Sequence, residues 1–409
     1  MTHLPMSGVR VLEVAQFTYV PSAGAVLADW GADVIKVEHA FTGDAQRGMV
    51  GIGPAGYVEG SFSPLMDHPN RGKRSVGLAL EHPAALEVLY RMAQQSDVFL
   101  TNFLPAARVR LRIDVDDIRA VNPSIIYARG SAHGHRGPDA ERGGFDAATY
   151  WARGGSADGV TPPSIGKPLN MPAPAYGDTL GGLTLAGGIS AALFARANTG
   201  ESSVVDVSLL SMGAYATALS LDISMMSNEP WEWPPQTEPG APINPVAGYF
   251  ETSDGRWIYL ALLQAGRYWA DFCRHIDRPD LIDDERFNTA EKIIANAPEG
   301  GRIVRDEIIK RTFAEWIERF ATLEGQWTIV QDSVQVAHDE QLRALGYFAP
   351  VTDVEGNARE LMTSPVQFDD TAATTTRGPQ FAEHTDDILR EAGLTDDEIL
   401  QLKIDGAAT

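Results

Sequence analysis

Cysteine is almost missing from this chain of 409 residues, in which Cys273 is the only one. A single thiol excludes an intrachain disulfide, so we expect a protein of a reducing compartment. No apolar run reaches the roughly 20 residues that cross a bilayer. The first residues, MTHLPMSGVRVLEVA, lack the basic and apolar segments of a signal peptide. These absences predict a cytoplasmic protein without a membrane partner.

Positive charge is scarce, with 33 lysines and arginines against 55 acidic residues and a net charge of -22. A chain of this charge repels nucleic acid, which we therefore do not expect as a partner. The segment NRGKRS, residues 70–75, is an exception because it holds three cations and no acid. It is either a solvated loop or a site for a small polyanion, such as a phosphorylated cofactor.

Three familiar catalytic patterns are also missing. The first βα turn, AQFTYVPSAG, has no glycine before Gly24, and bulky Phe17 and Tyr19 block the close backbone approach of a dinucleotide pyrophosphate. Neither H-E-x-x-H nor G-x-S-x-G occurs, which argues against metalloprotease and serine-hydrolase sites. His133 and His135 lie two residues apart in a glycine-rich loop, and we expect no metal.

Short apolar segments alternate with helical segments in the first half of the chain. Strands are predicted over residues 9–15, 32–38, 75–80, 97–102, 124–129 and 202–210. This alternation predicts an α/β fold with a parallel, Rossmann-like sheet in a large domain over residues 1–224. A hairpin pattern over residues 249–262, followed by helical segments, predicts a smaller α+β domain over residues 225–330. A C-terminal segment over residues 331–409 completes the chain.

The segment AYGDTLGGLTLAGGISAALFAR, residues 175–196, is typical of a helix, although four glycines, Gly181, Gly182, Gly187 and Gly188, follow Asp178. Each glycine costs about 1 kcal/mol relative to alanine inside a helix. A face of small residues around Gly181 would let another helix or a ligand approach the backbone closely. Asp178 stands at the start of this segment and has two interpretations. It is either the helix N-cap, or an ionised nucleophile stabilised by the helix N-terminus.

Five segments, in order along the chain, resemble the class III coenzyme A transferases, a group that includes formyl-CoA transferase, carnitine CoA-transferase and the α-methylacyl-CoA racemases. The segments are LADWGADVIKVEHAFTGDAQR, NRGKRSVGLAL, DVFLTNFLPAARVRL, YGDTLGGLTLAGGISAALFARANTGESSVVDVSL and AEHTDDILREAGL. The resemblance implies that Asp178 is the catalytic aspartate of a CoA-transferase. In such enzymes the aspartate attacks an acyl-CoA thioester to give a mixed anhydride, and then carries CoA as an aspartyl thioester to a second carboxylate.

The resemblance also implies which residues bind the substrates. Those implied to contact coenzyme A are Gln16, Phe17, Thr18, His39, Arg71, Arg74, Asn102, Phe103, Arg110 and Arg142. Phe145 and Asp146 are implied to line the substrate pocket. Members of the group form a homodimer of two interlocked, ring-like chains, in which the C-terminal segment returns to the large domain.

An α-methylacyl-CoA racemase or epimerase is the alternative function. Racemases of the group use a histidine before an aspartate in a G-H-D segment, but the matching segment here, GGFDAATY, has Phe145 before Asp146. Phenylalanine cannot exchange a proton, which favours the transferase. A CoA-binding protein without activity is a third possibility, and the presence of Asp178 argues against it.

Overall fold

The computed structural model of the chain describes residues 4–53, 56–232 and 243–409. The chain divides into two compact units. The first unit combines residues 1–231 with residues 341–409, and the second comprises residues 232–340.

A six-stranded parallel sheet forms the centre of the first unit. Its strands are β1 (Arg10–Val14), β2 (Asp33–Glu38), β3 (Arg74–Gly77), β4 (Val98–Thr101), β5 (Ile126–Ser131) and β6 (Val204–Ser208). They lie in the order β3-β2-β1-β4-β5-β6, and every pair is parallel. This is the Rossmann order, which reverses direction between β1 and β4. The predicted α/β fold with a parallel sheet is confirmed, and each predicted strand overlaps an observed one.

Helices of the described residues run from α1 near the start of the chain to α17 near its end. They are α1 (Tyr19–Asp29), α2 (Pro64–Asn70), α3 (Pro83–Gln94), α4 (Pro105–Leu111), α5 (Val115–Val121), α6 (Ser156–Gly159), α7 (Tyr176–Thr199), α8 (Leu209–Ala216), α9 (Ala218–Ser227), α10 (Ala265–His275), α11 (Ala290–Ala295), α12 (Ala297–Ile308), α13 (Phe313–Phe320), α14 (Ser333–Ala337), α15 (Glu340–Leu345), α16 (Thr385–Glu391) and α17 (Asp396–Ile404). A π-helical turn spans Ala147–Arg153, and a 3₁₀ turn spans Ala45–Met49.

Helices cover both faces of the sheet because its strands are apolar on both sides. On one face, Leu12 of β1 packs in a cluster with side chains of α3, α16 and α17. On the other face, Val11 packs with side chains of α1, α7 and α8. Leu389 and Leu402, near the end of the chain, belong to the first of these clusters, so the C-terminal helices complete the core of the first unit.

Helix α7 is long and apolar, with 24 residues and a mean hydropathy of 1.3 over its most apolar window. By length and composition alone it could cross a membrane, which corrects the expectation that no segment is long enough. Helices α8 and α9 together pass the same test, although they are bent by 75°. In this structure α7 buries Leu185 and Ile189 against α1 and the sheet, as the core helix of a globular unit does.

The second unit contains a small antiparallel sheet of β7 (Ala247–Glu251), β8 (Trp257–Ala261) and β9 (Trp327–Ile329). The predicted hairpin joins β7 to β8 and turns at Gly255, whose φ is +73°. Aromatic side chains of α10 and α13 form much of this unit's core. Cys273 lies fully buried among them, and burial raises the pKa of its thiol to about 12.

A second hairpin, of β10 (Phe348–Thr352) and β11 (Ala358–Met362), precedes the C-terminal helices. It belongs to the first unit and was not predicted from the sequence.

Candidate active site

The carboxyl ends of β1 and β4 lie side by side at the point where the strand order reverses. The loops that follow them are locked together by a reciprocal pair of hydrogen bonds. The backbone N–H of Gln16 donates to Oδ1 of Asn102 over 3.0 Å, and Nδ2 of Asn102 donates to the Gln16 carbonyl over 2.6 Å. Ligands of open α/β sheets bind in the crevice at this reversal. The structure thus joins two of the predicted CoA-binding segments there.

Phe17 adopts a left-handed backbone conformation, with φ of +64°, which is unfavourable for a bulky side chain. Its N–H donates to Oδ1 of Asp44 over 3.0 Å, and that carboxylate is paired with fully buried Lys36 at 2.8 Å. The hydroxyl of Thr18 donates to Oε1 of Gln46 over 2.8 Å. Buried polar contacts therefore hold the turn after β1 in one shape, and they point the predicted residue Thr18 inward.

Asp178 is not the cap of its helix, which corrects one of its two interpretations. Helix α7 begins at Tyr176, and Ala175 occupies the N-cap position with a left-handed backbone. The carboxylate that accepts a hydrogen bond from the first turn is that of Asp146, whose Oδ2 lies 3.2 Å from the Gly177 nitrogen. Asp146 is buried at the start of the π-helical turn. Asp146 is not among the residues that line the cavity described below, although its predicted partner Phe145 is.

The carboxylate of Asp178 lies in an environment that disfavours its charge. Burial, and to a smaller extent the negative charge of Asp146, raises the pKa of Asp178 to about 7. Burial thus opposes the ionised form that the helix N-terminus was expected to favour, and raised pKa values of this kind are typical of catalytic carboxyl groups.

Two of the four glycines that follow Asp178 explain how α7 approaches α1. A Cβ atom on Gly181 would lie 2.5 Å from the ring of Tyr19, and one on Gly182 would lie 2.5 Å from Cβ of Ser22. Any side chain at either position would push the two helices apart. Gly187, by contrast, faces open space. The close contact fixes the first turn of α7, and therefore Asp178, beside the turn that follows β1.

Six predicted residues line one cavity of about 470 Å³ at this edge of the sheet. They are Phe17, Asn102, Phe103, Arg142, Phe145 and Asp178. The rings of Phe17 and Phe145 meet edge to face, with centroids 5.6 Å apart. The cavity therefore brings the Asp178 carboxylate together with an aromatic wall.

A cluster of Arg129, His135 and Asp206 also lines this cavity, and it was not predicted as a site. Nε of Arg129 donates to Oδ2 of Asp206 over 2.6 Å, and Nδ1 of His135 lies 3.1 Å from the same oxygen. Arg129 and Asp206 are direct neighbours across β5 and β6. The sequence signal was a charged residue within each of two predicted strands, but the pairing of those strands was not predicted.

Metal ligands are not grouped in the described part of the chain. Within residues 4–53, 56–232 and 243–409, no cluster of three or more His, Cys, Asp or Glu side chains could hold a metal ion.

Comparison with known proteins identifies the family. The model of CoA-transferase family III matches residues 6–385. The chain belongs to CoA-transferase family III. It is 30% identical to (R)-2-hydroxy-4-methylpentanoate CoA-transferase of Clostridioides difficile, over 97% of this chain and 98% of that protein. It is 28% identical to cinnamoyl-CoA:phenyllactate CoA-transferase of Clostridium sporogenes, over 98% and 96% of the two chains.

Solved structures agree with this assignment. A CAIB/BAIF family protein from Brucella suis superposes with a TM-score of 0.79 at 25% identity, over 96% of this chain and 100% of that one. Rv3272 from Mycobacterium tuberculosis superposes with a TM-score of 0.77 at 28% identity, over 93% and 98% of the two chains. The protein is thus an enzyme that transfers CoA, and acyl-CoA thioesters and carboxylic acids fit as its substrates.

Arg71 and Arg74, which were predicted to bind the phosphates of coenzyme A, do not line the cavity of this CoA-transferase. Arg71 is 3% exposed, and its Nη2 lies 2.7 Å from Oδ2 of Asp29. Arg74 begins β3 at the amino edge of the sheet, where it pairs with Asp33 and Glu391 at 2.8 and 2.7 Å. Because both guanidinium groups are held by internal carboxylates and neither lines the cavity, we do not retain them as phosphate ligands.

The other predicted cations of the CoA-transferase remain accessible. His39 follows β2, and its Nε2 lies 2.8 Å from Glu81. Arg110 is exposed. It lies near Glu81, because its positive charge helps to lower the pKa of that carboxyl group. Arg142 is 71% exposed and lies 3.8 Å from Asp139, so its guanidinium is open to an anion at the rim of the cavity.

Proposed function

We propose that this enzyme moves CoA from an acyl-CoA to a carboxylic acid, with Asp178 as the nucleophile. The observation that carries the proposal is the position of the Asp178 carboxylate, which lines the cavity at the strand-order reversal beside the turn of Phe17. The sequence relatives named for CoA transfer between acids support it.

The first half of the proposed reaction forms a thioester on the enzyme. An ionised oxygen of Asp178 attacks the thioester carbonyl, and the C–S bond breaks to release CoA thiolate and leave a mixed anhydride. The thiolate then attacks the side-chain carbonyl carbon of Asp178. The C–O bond on that carbon breaks, the donor acid departs as its carboxylate, and Asp178 carries CoA as a thioester.

The second half is the reverse sequence with the acceptor. A carboxylate oxygen of the acceptor attacks the aspartyl thioester, which releases CoA thiolate and forms a second anhydride. The thiolate attacks the acceptor carbonyl, which returns Asp178 to its carboxylate form. One thioester replaces another, so the reaction needs neither ATP nor a redox partner.

We place CoA against the residues that the structure leaves accessible. Phe17, Asn102 and Phe103 line the cavity, and Gln16 and Thr18 belong to the turn that holds Phe17 there. The cations offered to the phosphates are His39, Arg110 and Arg142. On a chain with a net charge of -22, such exposed cations favour binding of a polyanion.

Proton exchange at the α-carbon is a second candidate function, and one observation favours it. His135, beside Asp206, lines the same cavity as Asp178, so two basic groups face one substrate space. Removal and return of an α-proton on opposite faces needs two such groups. His133, in contrast, is not among the cavity residues, and its Nδ1 lies 3.2 Å from Arg153.

Deuterium incorporation separates the two functions. For the transferase we expect a 2-methylacyl-CoA, incubated with enzyme in heavy water, to retain its α-proton over many turnovers of CoA transfer. Rapid uptake of deuterium that is lost in His135→Gln would assign the racemase function instead. The readout is the mass of the recovered thioester.

We further propose a homodimer, interlocked as in the group that the sequence resembles, in the cytoplasm. Its support is helix α9, whose residues are all at least partly exposed. Leu219, Met225 and Met226 on this helix are 77%, 75% and 89% exposed. Apolar surface of this extent on one element is typical of a contact between subunits.

The nucleophile is tested by Asp178→Asn together with trapping. Hydroxylamine added during turnover should modify Asp178 in the native enzyme, because an anhydride or thioester there reacts with it. Asp178→Asn should lose CoA transfer by several orders of magnitude and form no adduct. Its folding should be intact, since the raised pKa of Asp178 means that the native state loses stability as pH rises from about 4 to 7. The melting temperature of the variant should therefore exceed that of the native enzyme at pH 8.

Asp116→Asn is the matched control, because Asp116 is an exposed acid in the first turn of α5. Adduct formation and activity should match the native enzyme. A fully active Asp178→Asn enzyme, with no adduct on the native protein, would remove Asp178 from the mechanism.

A further inference from the structure

Four buried charges lie in contact with the turn that joins β1 to α1, and the proposed CoA chemistry does not use them. They are Glu13, Lys36, Asp44 and Lys73, whose side chains are fully buried. Nζ of Lys36 lies 2.8 Å from Oδ2 of Asp44 and 3.4 Å from Oε1 of Glu13, and Nζ of Lys73 lies 2.8 Å from Oε2 of Glu13. Removing such charges from water is costly, and apolar side chains often stabilise a core as well. Core stability alone therefore does not account for this cluster.

The two lysines of the cluster bind the backbone at both ends of the turn. Nζ of Lys36 donates to the Ala15 carbonyl over 3.0 Å, directly after β1. Nζ of Lys73 donates to the Pro21 carbonyl over 2.8 Å, in the first turn of α1. Apolar side chains could form neither hydrogen bond, so the charges specify the path of the backbone where the turn begins and ends.

Asp44 binds the middle of the turn, where Phe17 has a φ of +64°. Its Oδ1 accepts the N–H of Phe17 over 3.0 Å, while its Oδ2 faces Lys36. Burial opposes the charge of Lys36, but Asp44 and Glu13 outweigh that effect and raise the pKa of Lys36 above its usual range. A residue other than glycine keeps a left-handed conformation only where its surroundings hold it there. The hydrogen bond to Asp44 is such a contact, and the ion pair with Lys36 holds Asp44 itself.

The backbone conformation of Phe17 decides where its ring lies. The ring lines the cavity that Asp178 also lines, and it meets the ring of Phe145 edge to face. Rotation of φ from +64° to the usual negative range would turn the Cα–Cβ bond of Phe17, and the ring would leave this wall. We propose that Asp44 is a positioning residue, which holds Phe17 in the left-handed conformation and so keeps the aromatic wall of the cavity in place for the acyl-CoA. This inference rests on the proposed function, which places CoA against Phe17.

Loss of the Asp44 contact should weaken binding without changing the groups that line the cavity. In Asp44→Ala, Phe17 can adopt the commoner negative φ, so that only a fraction of the molecules present the ring. The measured Kd rises in inverse proportion to that fraction, and we expect a rise of at least about fivefold. The probe is S-hexyl-CoA, a thioether that cannot undergo CoA transfer. The measurement is isothermal titration calorimetry on the native enzyme and the variant.

Phe17→Gly distinguishes a positioning role from a general effect on folding. Glycine adopts a positive φ without strain and has no ring to place. Asp44→Ala should therefore change the Kd by less than about twofold in the Phe17→Gly enzyme, although Phe17→Gly itself weakens binding. A merely structural role of Asp44 would give the same fold-change in both backgrounds, because independent effects add in free energy.

Asp29→Ala is the matched control for the loss of a buried acid. The side chain of Asp29 is also fully buried, lies 2.7 Å from Nη2 of Arg71, and accepts the backbone N–H of Ser364 over 2.7 Å. None of these three residues is part of the cavity lining. This variant should lose stability much as Asp44→Ala does, and its Kd for S-hexyl-CoA should equal that of the native enzyme.

If Asp44→Ala does not fold, Lys36→Met is combined with it. Removing both charges leaves no buried ion without a partner, because Glu13 and Lys73 stay paired. The double variant should show at least the same rise in Kd.

Three results would each overturn the inference. They are an unchanged Kd in the variant that lacks Asp44, the same fold-change in the Phe17→Gly background, and a rise of similar size in Asp29→Ala. Failure of the native enzyme to bind S-hexyl-CoA would overturn it as well. Because the thioether does not react, none of these results depends on Asp178. Normal binding of S-hexyl-CoA without a hydroxylamine adduct would refute the nucleophile and leave the role of Asp44 standing.

Discussion

A carboxyl group at the beginning of a helix either accepts hydrogen bonds from the free N–H groups or stays available for chemistry, depending on which residue caps the helix. In α7 the carboxylate of Asp146 accepts a hydrogen bond from the N–H of Gly177, which lies 31 positions later in the chain. Asp178 is thereby left without a capping contact, in partly buried surroundings that raise its pKa to about 7. The division of labour between two nearby acids is a common way to give one of them a perturbed pKa.

Asp146→Asn should therefore shift the pH dependence of CoA transfer. Removing the negative charge beside Asp178 favours its ionised form, so the acid limb of kcat/KM should move to lower pH from a midpoint near 7. At pH 6 the variant should be faster than the native enzyme. The measurement is kcat/KM between pH 5.5 and 9.

Asp158→Asn serves as the control, because Asp158 is an exposed acid on α6. If Asp146→Asn only disturbed the start of α7, the rate would fall equally at all pH values and the midpoint would stay in place. That result would contradict the electrostatic role of Asp146.

Sequence reasoning can bring together residues at the ends of strands. Phe17 and Phe103 follow predicted strands and Asn102 ends one, and all three line the cavity at one edge of the parallel sheet. It failed where a partner far along the chain decides. Arg71 looked like a phosphate ligand, but its partner Asp29 lies 42 positions earlier and is visible only in the folded chain.

At the level of elements, the glycines of α7 are not equivalent. Gly182 touches α1 so closely that a Cβ would lie 2.5 Å from Ser22 and 2.9 Å from the backbone nitrogen of Ala23. Gly187 is exposed and has nothing within 4 Å of a Cβ position. The small face expected around Gly181 does contact α1, and the adjacent Gly182 contacts α1 as well.

Alanine at these two positions should have opposite effects. Gly182→Ala overpacks the contact between α1 and α7 and should destabilise the first unit by about 1–3 kcal/mol. Gly187→Ala should stabilise it by up to about 1 kcal/mol, because alanine is the better helix former. Urea unfolding followed by circular dichroism measures both. Equal effects of the two substitutions would argue against the close contact.

The strands were predictable because each is a short apolar run between polar segments, and alternation with helices implied their parallel order. Other elements left weaker signals. The π-helical turn at Ala147–Arg153 lies in a stretch without apolar periodicity, and α2 is a single short segment with an internal proline. Such pieces are shaped by their neighbours rather than by their own sequence.

For the molecule as a whole, the proposed dimer is the most direct prediction. Mass photometry at nanomolar concentration should report twice the chain mass of 44.2 kDa, because interlocked chains cannot separate without unfolding. Met226→Glu on α9 tests the contact surface, and Leu400→Glu on exposed α17 is its control. A particle of single-chain mass in the native protein would contradict the proposal.

The boundaries predicted at residues 224 and 330 stay predictions, although the structure itself separates a unit over residues 232–340. Near such a boundary the sequence pattern changes from alternating strand and helix segments to a hairpin followed by helices. It does not reveal that Leu389 and Leu402 pack with Leu12, since contacts between the two ends of a chain leave no local pattern.

The buried thiol of the second unit affects how free CoA can be assayed in the presence of the enzyme. Cys273 is fully buried with a strongly raised pKa, so chromogenic disulfide reagents should not react with it in the native enzyme. Free CoA can therefore be titrated continuously in the presence of stoichiometric enzyme without a protein background. The same reagent, added with denaturant, should reveal one thiol per chain and so count the enzyme in the cuvette.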